Sequence, residues 1–436
     1  MIDFIFFTKT STRHARLAQP RIETSSKLTA RQSFASLLST SVLLGLFIYG
    51  HTNIAYAGER EQAKRMHDRI AGVPPTSDVL DNMAADILAG NASDAAYTAM
   101  EHTAFYDVTL KNLAAPWTNE AMSSFVPLND YTATIIGLVR DDKDFRTILY
   151  GDVLYEADSS LNLSNNYSMT NNDHYEELEE TGLSLKDSLT PIAQSARNGL
   201  PASATAGVMT SRAAAKSFFK DGTNRAMFRF TALNHLCNDM EQLNDISRTP
   251  DRIRQDVSRS PGGDSRIFLN SCIGCHSGMD PLAQSFAYYE YDYDVATDPD
   301  GENGSIGYNT AGITDPVTGT RVQSKYHNNA TNFEYGYVTP NDHWDNYWRE
   351  GQNKLLGWDN TLTGSGDGAK SMGEELAHST AFAECQVTKV FKNVCLRSPV
   401  DSTDRLTISN MVTSFANSGY NLKQVFADSA VYCMGD

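Results

Sequence analysis

Five consecutive residues, Cys272-Ile-Gly-Cys275-His276, constrain this chain more than any other feature of its sequence. Cys-x-x-Cys-His is the signature of c-type haem attachment, in which each thiol forms a thioether with one vinyl group of the porphyrin. The histidine that follows directly is then placed to ligate the iron from one face of the ring. We therefore expect one covalently attached haem c, with His276 as the proximal iron ligand.

Three other interpretations of the motif stay open. A structural zinc site usually needs a second pair of Cys or His ligands, and the sequence contains no other CxxC and no HxxxH. A thioredoxin-like redox pair would follow a strand at the start of a helix in a βαβ unit, and the neighbouring residues do not show that pattern. The third is a chance occurrence in an exported protein. Haem attachment accounts for the residues best.

The first 57 residues have the composition of an export signal. Residues 1–32 carry six basic and two acidic side chains, and an apolar run from Phe34 to Gly50 is followed by Ala55-Tyr56-Ala57. These are the three parts of a secretory signal peptide. An uncleaved membrane anchor is the alternative, because the run approaches the roughly 20 apolar residues that span a bilayer. We expect cleavage of the signal peptide. The expected location is either the bacterial periplasm or the outside of the cell, at its surface.

The charge of the chain limits its partners. The net charge is −17, and without residues 1–57 it becomes −21, with 30 basic and 51 acidic residues. Such a chain lacks the basic surface with which general nucleic-acid binders displace counterions from phosphate. We expect no nucleic-acid partner, and membrane contact only if the signal segment is uncleaved. The expected partner is a redox protein with a basic docking face.

Hydrophobic periodicity predicts a mainly α protein, and a hydrophobic content of 41% is that of a globular chain. We expect an N-terminal helical region over 58–200, whose polar stretch from Glu156 to Leu200 is expected to be a surface excursion or a linker. A haem-binding region follows over 201–290, and 212–237 within it is expected to be helical. An irregular insert rich in Gly, Asn and Tyr covers 291–370, and a C-terminal helical region covers 371–436.

Two segments allow finer predictions. The run Thr76-Ser77-Asp78 is expected to cap a helix that carries four apolar residues on one face. In the C-terminal region, five apolar residues are expected to be buried. These residues are Val79, Met83, Ile87 and Leu88 in the first segment, and Leu406, Met411, Phe415, Leu422 and Val425 in the second.

Four cysteines lie outside the motif, and in an exported protein they suggest up to two disulfides, with three possible connectivities. Cys385 and Cys395 are ten residues apart in a predicted helical hairpin. A bond between these two would be local, and Cys237 would then pair with Cys433, but the sequence does not decide among the three connectivities. The alternative is that some of the four remain buried small hydrophobic residues.

The residues around the motif resemble the Planctomycete-type cytochromes, a family of exported and mostly uncharacterised haem proteins. The family motif continues from CxxCH into Met-Asp-Pro-Leu, as Met279 to Leu282 do here. Residues 207–210, 224–225, 236–237 and 256–264 resemble the same domain, so the resemblance covers about 200–290 well. It covers about 370–430 moderately, through 382–397 and 415–420, and is loose over 70–150. The family's usual Gly after Leu282 is replaced by Ala283. The resemblance implies a cytochrome c-like haem lobe embedded in a larger helical protein.

The second axial ligand is the main question that the sequence leaves open. Met279 follows His276 so closely that it is expected on the proximal side, where with Asp280 and Pro281 it would turn the chain under the ring. Distal candidates therefore come from elsewhere, namely His235, Met209, Met372 and His378, with His327 and His343 as further possibilities.

Arg225 and Arg259 are candidate partners of the haem propionates, because a guanidinium suits bidentate binding of a carboxylate. Surface ion pairing is the alternative for both.

We expect a c-type monohaem cytochrome that acts in electron transfer. A haem enzyme with an open distal site, acting on peroxide or on an organic substrate, is the first alternative. A binding or assembly protein with a structural haem is the second. The sequence shows no Ser/His/Asp triad and no Gly-rich nucleotide loop. Whether the chain is an enzyme stays open, because the haem itself could support catalysis.

Overall fold

The expected mainly helical architecture is confirmed. The structure is a computed structural model, and it describes residues 58–253, 265–316, 319–327 and 336–435. The expected signal peptide, the possible membrane anchor and Arg259 lie outside these residues. The described helices, in chain order, are α1 (Glu59–Ile70), α2 (Ser77–Leu88), α3 (Ala92–Met100), α4 (Lys111–Ala114), α5 (Asp130–Arg140), α6 (Asp173–Glu180), α7 (Leu185–Ser188), α8 (Arg212–Phe218), α9 (Asn224–His235), α10 (Ser265–Ser271), α11 (Ile273–Ala283), α12 (Gly368–Ala377), α13 (Thr380–Cys395), α14 (Ser402–Asn417) and α15 (Leu422–Cys433).

Three two-stranded antiparallel sheets accompany the described helices. The strands are β1 (Leu154–Ala157) with β2 (Leu189–Ile192), β3 (Tyr289–Tyr293) with β4 (Gly304–Tyr308), and β5 (His343–Asp345) with β6 (Ser365–Asp367). Short 3-10 turns connect many of these elements, and a π-helical turn covers Phe105–Leu110. No helix within the described ranges is both long enough and apolar enough to cross a membrane.

The core joins the two ends of the described chain. Helices α1 and α3 pack against α15, and α13 packs against both α14 and α15. The rings of Phe105 and Phe426 meet edge to face with centroids 4.9 Å apart. The same hydrophobic cluster extends through Met209 and Phe228 to Met279 on α11. One continuous core therefore connects the N-terminal helices to the helix that carries the Cys-x-x-Cys-His motif.

The predicted caps and faces are confirmed in part. The Thr76 side chain accepts a hydrogen bond from the Val79 amide at the start of α2, and Met83 is fully buried. Leu88 is 73% exposed, because nine residues after Val79 the helix has turned to its opposite side.

In the C-terminal region Met411, Phe415, Leu422 and Val425 are buried as expected, whereas Leu406 is 63% exposed. Five residues separate Leu406 from Met411. This spacing places their side chains about 140° apart around the helix.

Residues 156–200 are not a surface linker. All four residues of β1 are buried, and Tyr175 and Leu178 on α6 belong to the main core. The polar residues that gave the segment its composition are concentrated in the loop 158–172, while the apolar residues that follow are spaced for one helix face. Segment 212–237 also differs from the prediction, because a turn at Phe219–Thr223 divides it into α8 and α9.

The structure decides the cysteine pairing and does not contain the local bond between Cys385 and Cys395. The disulfides are Cys237–Cys385 and Cys395–Cys433, with Cα–Cα distances of 5.2 and 5.4 Å. Cys385 and Cys395 both lie on α13, so ten residues of helix hold them about 15 Å apart along the axis, beyond the span of a disulfide. The first bridge ties the end of α9 to α13, and the second ties α13 to α15.

Candidate haem site

The Cys-x-x-Cys-His motif forms the beginning of α11. Cys272 is the N-cap residue, and Cys275 and His276 lie in the first turn, where the His276 amide donates to the Cys272 carbonyl at 3.2 Å. Both thiols are free and partly buried, whereas the other four cysteines are paired in disulfides. Residues three apart on a helix are neighbours on its surface. The two thiols that remain are therefore the two that the motif offers for thioether formation.

Two glycines on α11 mark the side of the helix that packs against the segments of Asn244 and Trp348. A Cβ atom on Gly278 would lie 1.8 Å from Nε1 of Trp348, and one on Gly274 would lie 1.8 Å from Oδ1 of Asn244. The Asp245 amide also donates to the Gly274 carbonyl at 2.9 Å. Any larger side chain would push this face of the helix away from its neighbours. His276 lies about 160 to 200° around the helix from the two glycines, so it projects from the opposite side.

Asp280 lies one turn after His276 and contacts its ring. The Nδ1 atom of His276 is 3.0 Å from Oδ1 of Asp280, whose side chain is buried at 3% exposure. A carboxylate can only accept a hydrogen bond, so Nδ1 carries the proton and Nε2 carries the lone pair. Metal-ligating histidines commonly have such a partner, which fixes the tautomer and the ring orientation. The contact therefore fixes the ring orientation and the tautomer, with the lone pair on Nε2.

Arg225, at the start of α9, holds Asp280 in place. Its Nε donates to Oδ1 at 2.8 Å and its Nη2 donates to Oδ2 at 2.6 Å. Burial alone would favour the protonated acid, but the charge of Arg225 and the contact with His276 outweigh it and hold the pKa of Asp280 well below its usual range. Nearby, the Asn224 side chain donates to the Ala283 carbonyl at 2.9 Å. Helix α9 thus fixes both the carboxylate and the end of α11.

These contacts change two expectations about the motif region. Arg225 has a buried protein carboxylate as its bidentate partner, whereas the sequence suggested a haem propionate. Met279, Asp280 and Pro281 do not turn the chain, because α11 continues through them to Ala283. Helix α11 ends at Ala283, two residues after Pro281.

The distal candidates are engaged elsewhere in the described part of the chain, and none of the following contacts involves His276. His235 is buried, its Nε2 is 2.7 Å from the Tyr131 hydroxyl, and burial holds its pKa well below the usual range. Met209 and Met372 are buried in the main core. Nδ1 of His378 is 2.8 Å from the Glu374 carbonyl.

The two further candidates also have their own contacts. His343 lies 3.0 Å from Asp367, and His327 lies 3.5 Å from the Thr320 hydroxyl.

A polar cavity of about 460 Å³ lies beside the segment that packs on α11. Tyr347 and Arg349, the neighbours of Trp348, line it together with Arg248, Asp251 and Asp345, among others. Arg349 forms a bidentate ion pair with the buried Glu375, with distances of 2.8 and 2.7 Å. This pair ties the Trp348 segment to α12.

The residues present fit a haem c. The donor set consists of two free thiols and one histidine in a single helical turn, and the histidine ring is already oriented by a buried carboxylate. A metal site made of side chains alone is not seen: within the described ranges, no three His, Cys, Asp or Glu side chains are grouped so as to hold a metal ion.

Sequence reasoning missed Asp280 as the partner of His276, although their spacing of four residues was a usable signal. It also missed Trp348, for which the sequence carried no signal, because 70 residues separate it from Gly278.

Comparison of the chain with protein-family models, with curated proteins and with solved structures found no match.

Proposed function

We propose that this protein is an exported c-type monohaem cytochrome that acts in electron transfer. One observation supports the proposal above all: four of the six cysteines are paired in disulfides, and the two that stay free belong to the Cys-x-x-Cys-His motif. In an oxidising compartment free thiols are unusual, and covalent attachment of haem is a use that consumes both.

The side chains of α11 would hold the haem, which supplies a one-electron Fe(III)/Fe(II) couple when bound. Cys272 and Cys275 anchor it covalently, and His276 offers Nε2 to the iron. The packing of Gly274 and Gly278 keeps α11 fixed against the protein, so the ligand geometry changes little between the two oxidation states. The surplus of acidic residues favours docking of a partner with a basic face.

A haem enzyme is a second candidate, and one observation favours it. The Asp280 carboxylate raises the basicity of the His276 ring, and an electron-rich proximal ligand favours cleavage of an O–O bond. This function would need an open distal face, where peroxide could reach the iron.

Carbon monoxide distinguishes the two functions. The protein would be produced in a bacterial periplasm together with a cytochrome c maturation system, reduced, and exposed to CO while its absorption spectrum is recorded. A reduced spectrum that CO leaves unchanged supports electron transfer, because the sixth position is then occupied by the protein. Rapid formation of a CO adduct contradicts it and favours the haem enzyme.

Docking is tested by salt. The rate of electron exchange with a small basic redox protein should fall steeply as ionic strength rises, whereas exchange with an acidic one should not. A rate that is independent of ionic strength for the basic partner would contradict the proposed docking mode.

A further inference from the structure

We propose that Asp280 is a positioning residue that sets the reduction potential of the haem through the ring of His276, with Arg225 fixing the orientation of the Asp280 carboxylate. This inference rests on the proposed function and deepens it. It concerns the strength of the proximal ligand, which the presence of the motif alone does not determine.

The His276 ring contacts the Asp280 carboxylate directly. His276 and Asp280 are four residues apart on one helix, and their side chains meet at 3.0 Å. A carboxylate that accepts the Nδ1 proton pulls the ring toward imidazolate character and strengthens its donation through Nε2. A stronger donor stabilises Fe(III) relative to Fe(II), and hydrogen bonding of this kind is one of the means by which a protein tunes a haem.

The Asp280 carboxylate is buried. The Asp280 side chain is only 3% exposed, so water does not screen its charge from the ring. The bidentate hydrogen bonds from Arg225, at 2.8 and 2.6 Å, fix the direction of both carboxylate oxygens.

Two helices anchor the pair. Arg225 lies in the first turn of α9, and Asp280 lies near the end of α11. The ring, the carboxylate and the guanidinium therefore belong to elements that pack directly against each other. The geometry does not depend on a surface loop.

The chain offers a matched control on the same helix. Arg229, one turn after Arg225 on α9, pairs with Asp239 in the same bidentate geometry, at 2.7 and 2.6 Å. The negative charge of Asp239 is among the influences that raise the pKa of the Cys275 thiol, so it acts on the same region. Asp239 makes no contact with His276, and its removal reports the effect of charge through space alone.

The test compares midpoint potentials of the haem-loaded wild-type, D280N and D239N proteins by spectroelectrochemical titration. We expect D280N to shift the reduction equilibrium at least tenfold toward the ferrous form, which raises the midpoint potential by about 59 mV for one electron. The midpoint potential of D239N should change by less than half of the change in D280N. Equal potentials in D280N and D239N would overturn the proposal.

A second pair of variants keeps the proposal testable if D280N does not accumulate. R225Q removes the bidentate partner that fixes the Asp280 carboxylate against the His276 ring, so the contact should weaken and the equilibrium should move toward the ferrous form, in the same direction as in D280N and relative to R229Q. No shift, or a shift toward the ferric form, would contradict the proposal. Wild-type protein without covalent haem would instead overturn the proposed function, so the two failures are distinguishable.

Discussion

The carboxylate of Asp280 lies 3.0 Å from Nδ1 of His276, one helical turn away on α11, and the same oxygen accepts a hydrogen bond from Nε of Arg225 at 2.8 Å. This relationship joins a local feature of the sequence to a long-range one. His276 and Asp280 are brought together by helix geometry. Arg225 is 55 residues before Asp280 and reaches it through the packing of α9 on α11. The proximal side of the proposed haem is therefore built into the fold.

Replacement of Gly278 tests the packing that orients the motif. In G278A the new methyl group would collide with the Trp348 indole, since its Cβ position lies 1.8 Å from Nε1. We expect the free energy of unfolding to fall by about 1–3 kcal/mol, the usual cost of overpacking a core. Urea denaturation followed by circular dichroism measures this. A variant as stable as the wild type would show that α11 is not fixed by this contact.

Removal of Arg349 tests the support of the Trp348 segment. R349M leaves the Glu375 carboxylate, which is 1% exposed, without its cation. We expect a loss of about 3–5 kcal/mol in the free energy of unfolding, because an unpaired buried charge is costly. The double variant R349M/E375L should recover most of the loss.

The control for this prediction is K216M, which breaks the ion pair between Lys216 and the largely exposed Glu302. An exposed pair contributes at most about 1 kcal/mol. If R349M cost no more than K216M, the support that we assign to the Arg349–Glu375 pair would be wrong.

His235 should make stability depend on pH. Its pKa is held well below the usual range by burial and by the nearby charge of Lys389. The unfolded chain takes up a proton at this histidine near its ordinary pKa of about 6.5, while the folded protein does not. Below that pH the unfolded state binds more protons, so the free energy of unfolding falls as pH drops, by up to about 1.4 kcal/mol per pH unit for one such group.

The measurement is urea denaturation between about pH 7.5 and 5.5. We expect the decline in stability over this window to be shallower for H235Q than for the wild type. Parallel curves for H235Q and the wild type would contradict the prediction.

The disulfide pairing predicts a specific peptide map. Digestion without reduction should yield one linked peptide containing Cys237 and Cys385 and another containing Cys395 and Cys433. The closed segments span 148 and 38 residues, so the chain-entropy model gives stabilisations of about 5 and about 4 kcal/mol. C237A/C385A should therefore lose slightly more stability than C395A/C433A. A linked peptide joining Cys385 to Cys395 would refute the pairing.

The sequence carried enough information for the local features of this protein. The cap at Thr76 and the burial of Met411 and Phe415 follow from helix geometry and side-chain chemistry, which neighbouring residues decide. The prediction that Leu406 is buried was wrong. It relied on the apolar side chain alone and did not take into account the angle around the helix between Leu406 and the buried Met411.

Features that depend on tertiary packing could not be predicted. The partner of Cys385 is set by where α9 ends relative to α13, and no periodicity encodes that position. The contact between Trp348 and Gly278 depends equally on packing. The role of Asp280 lies between these cases, since its spacing from His276 was visible but its burial and its pairing with Arg225 were not.

The central claim is that Cys272 and Cys275 carry a covalent haem, and a pyridine haemochrome spectrum combined with the intact mass of the exported protein tests it most directly. The account predicts a c-type spectrum and the mass of one attached haem, both lost in C272A/C275A. Both should be retained in C237A/C385A, which removes the same number of cysteines elsewhere. A wild-type protein without covalent haem, produced where a control cytochrome matures normally, would contradict the account.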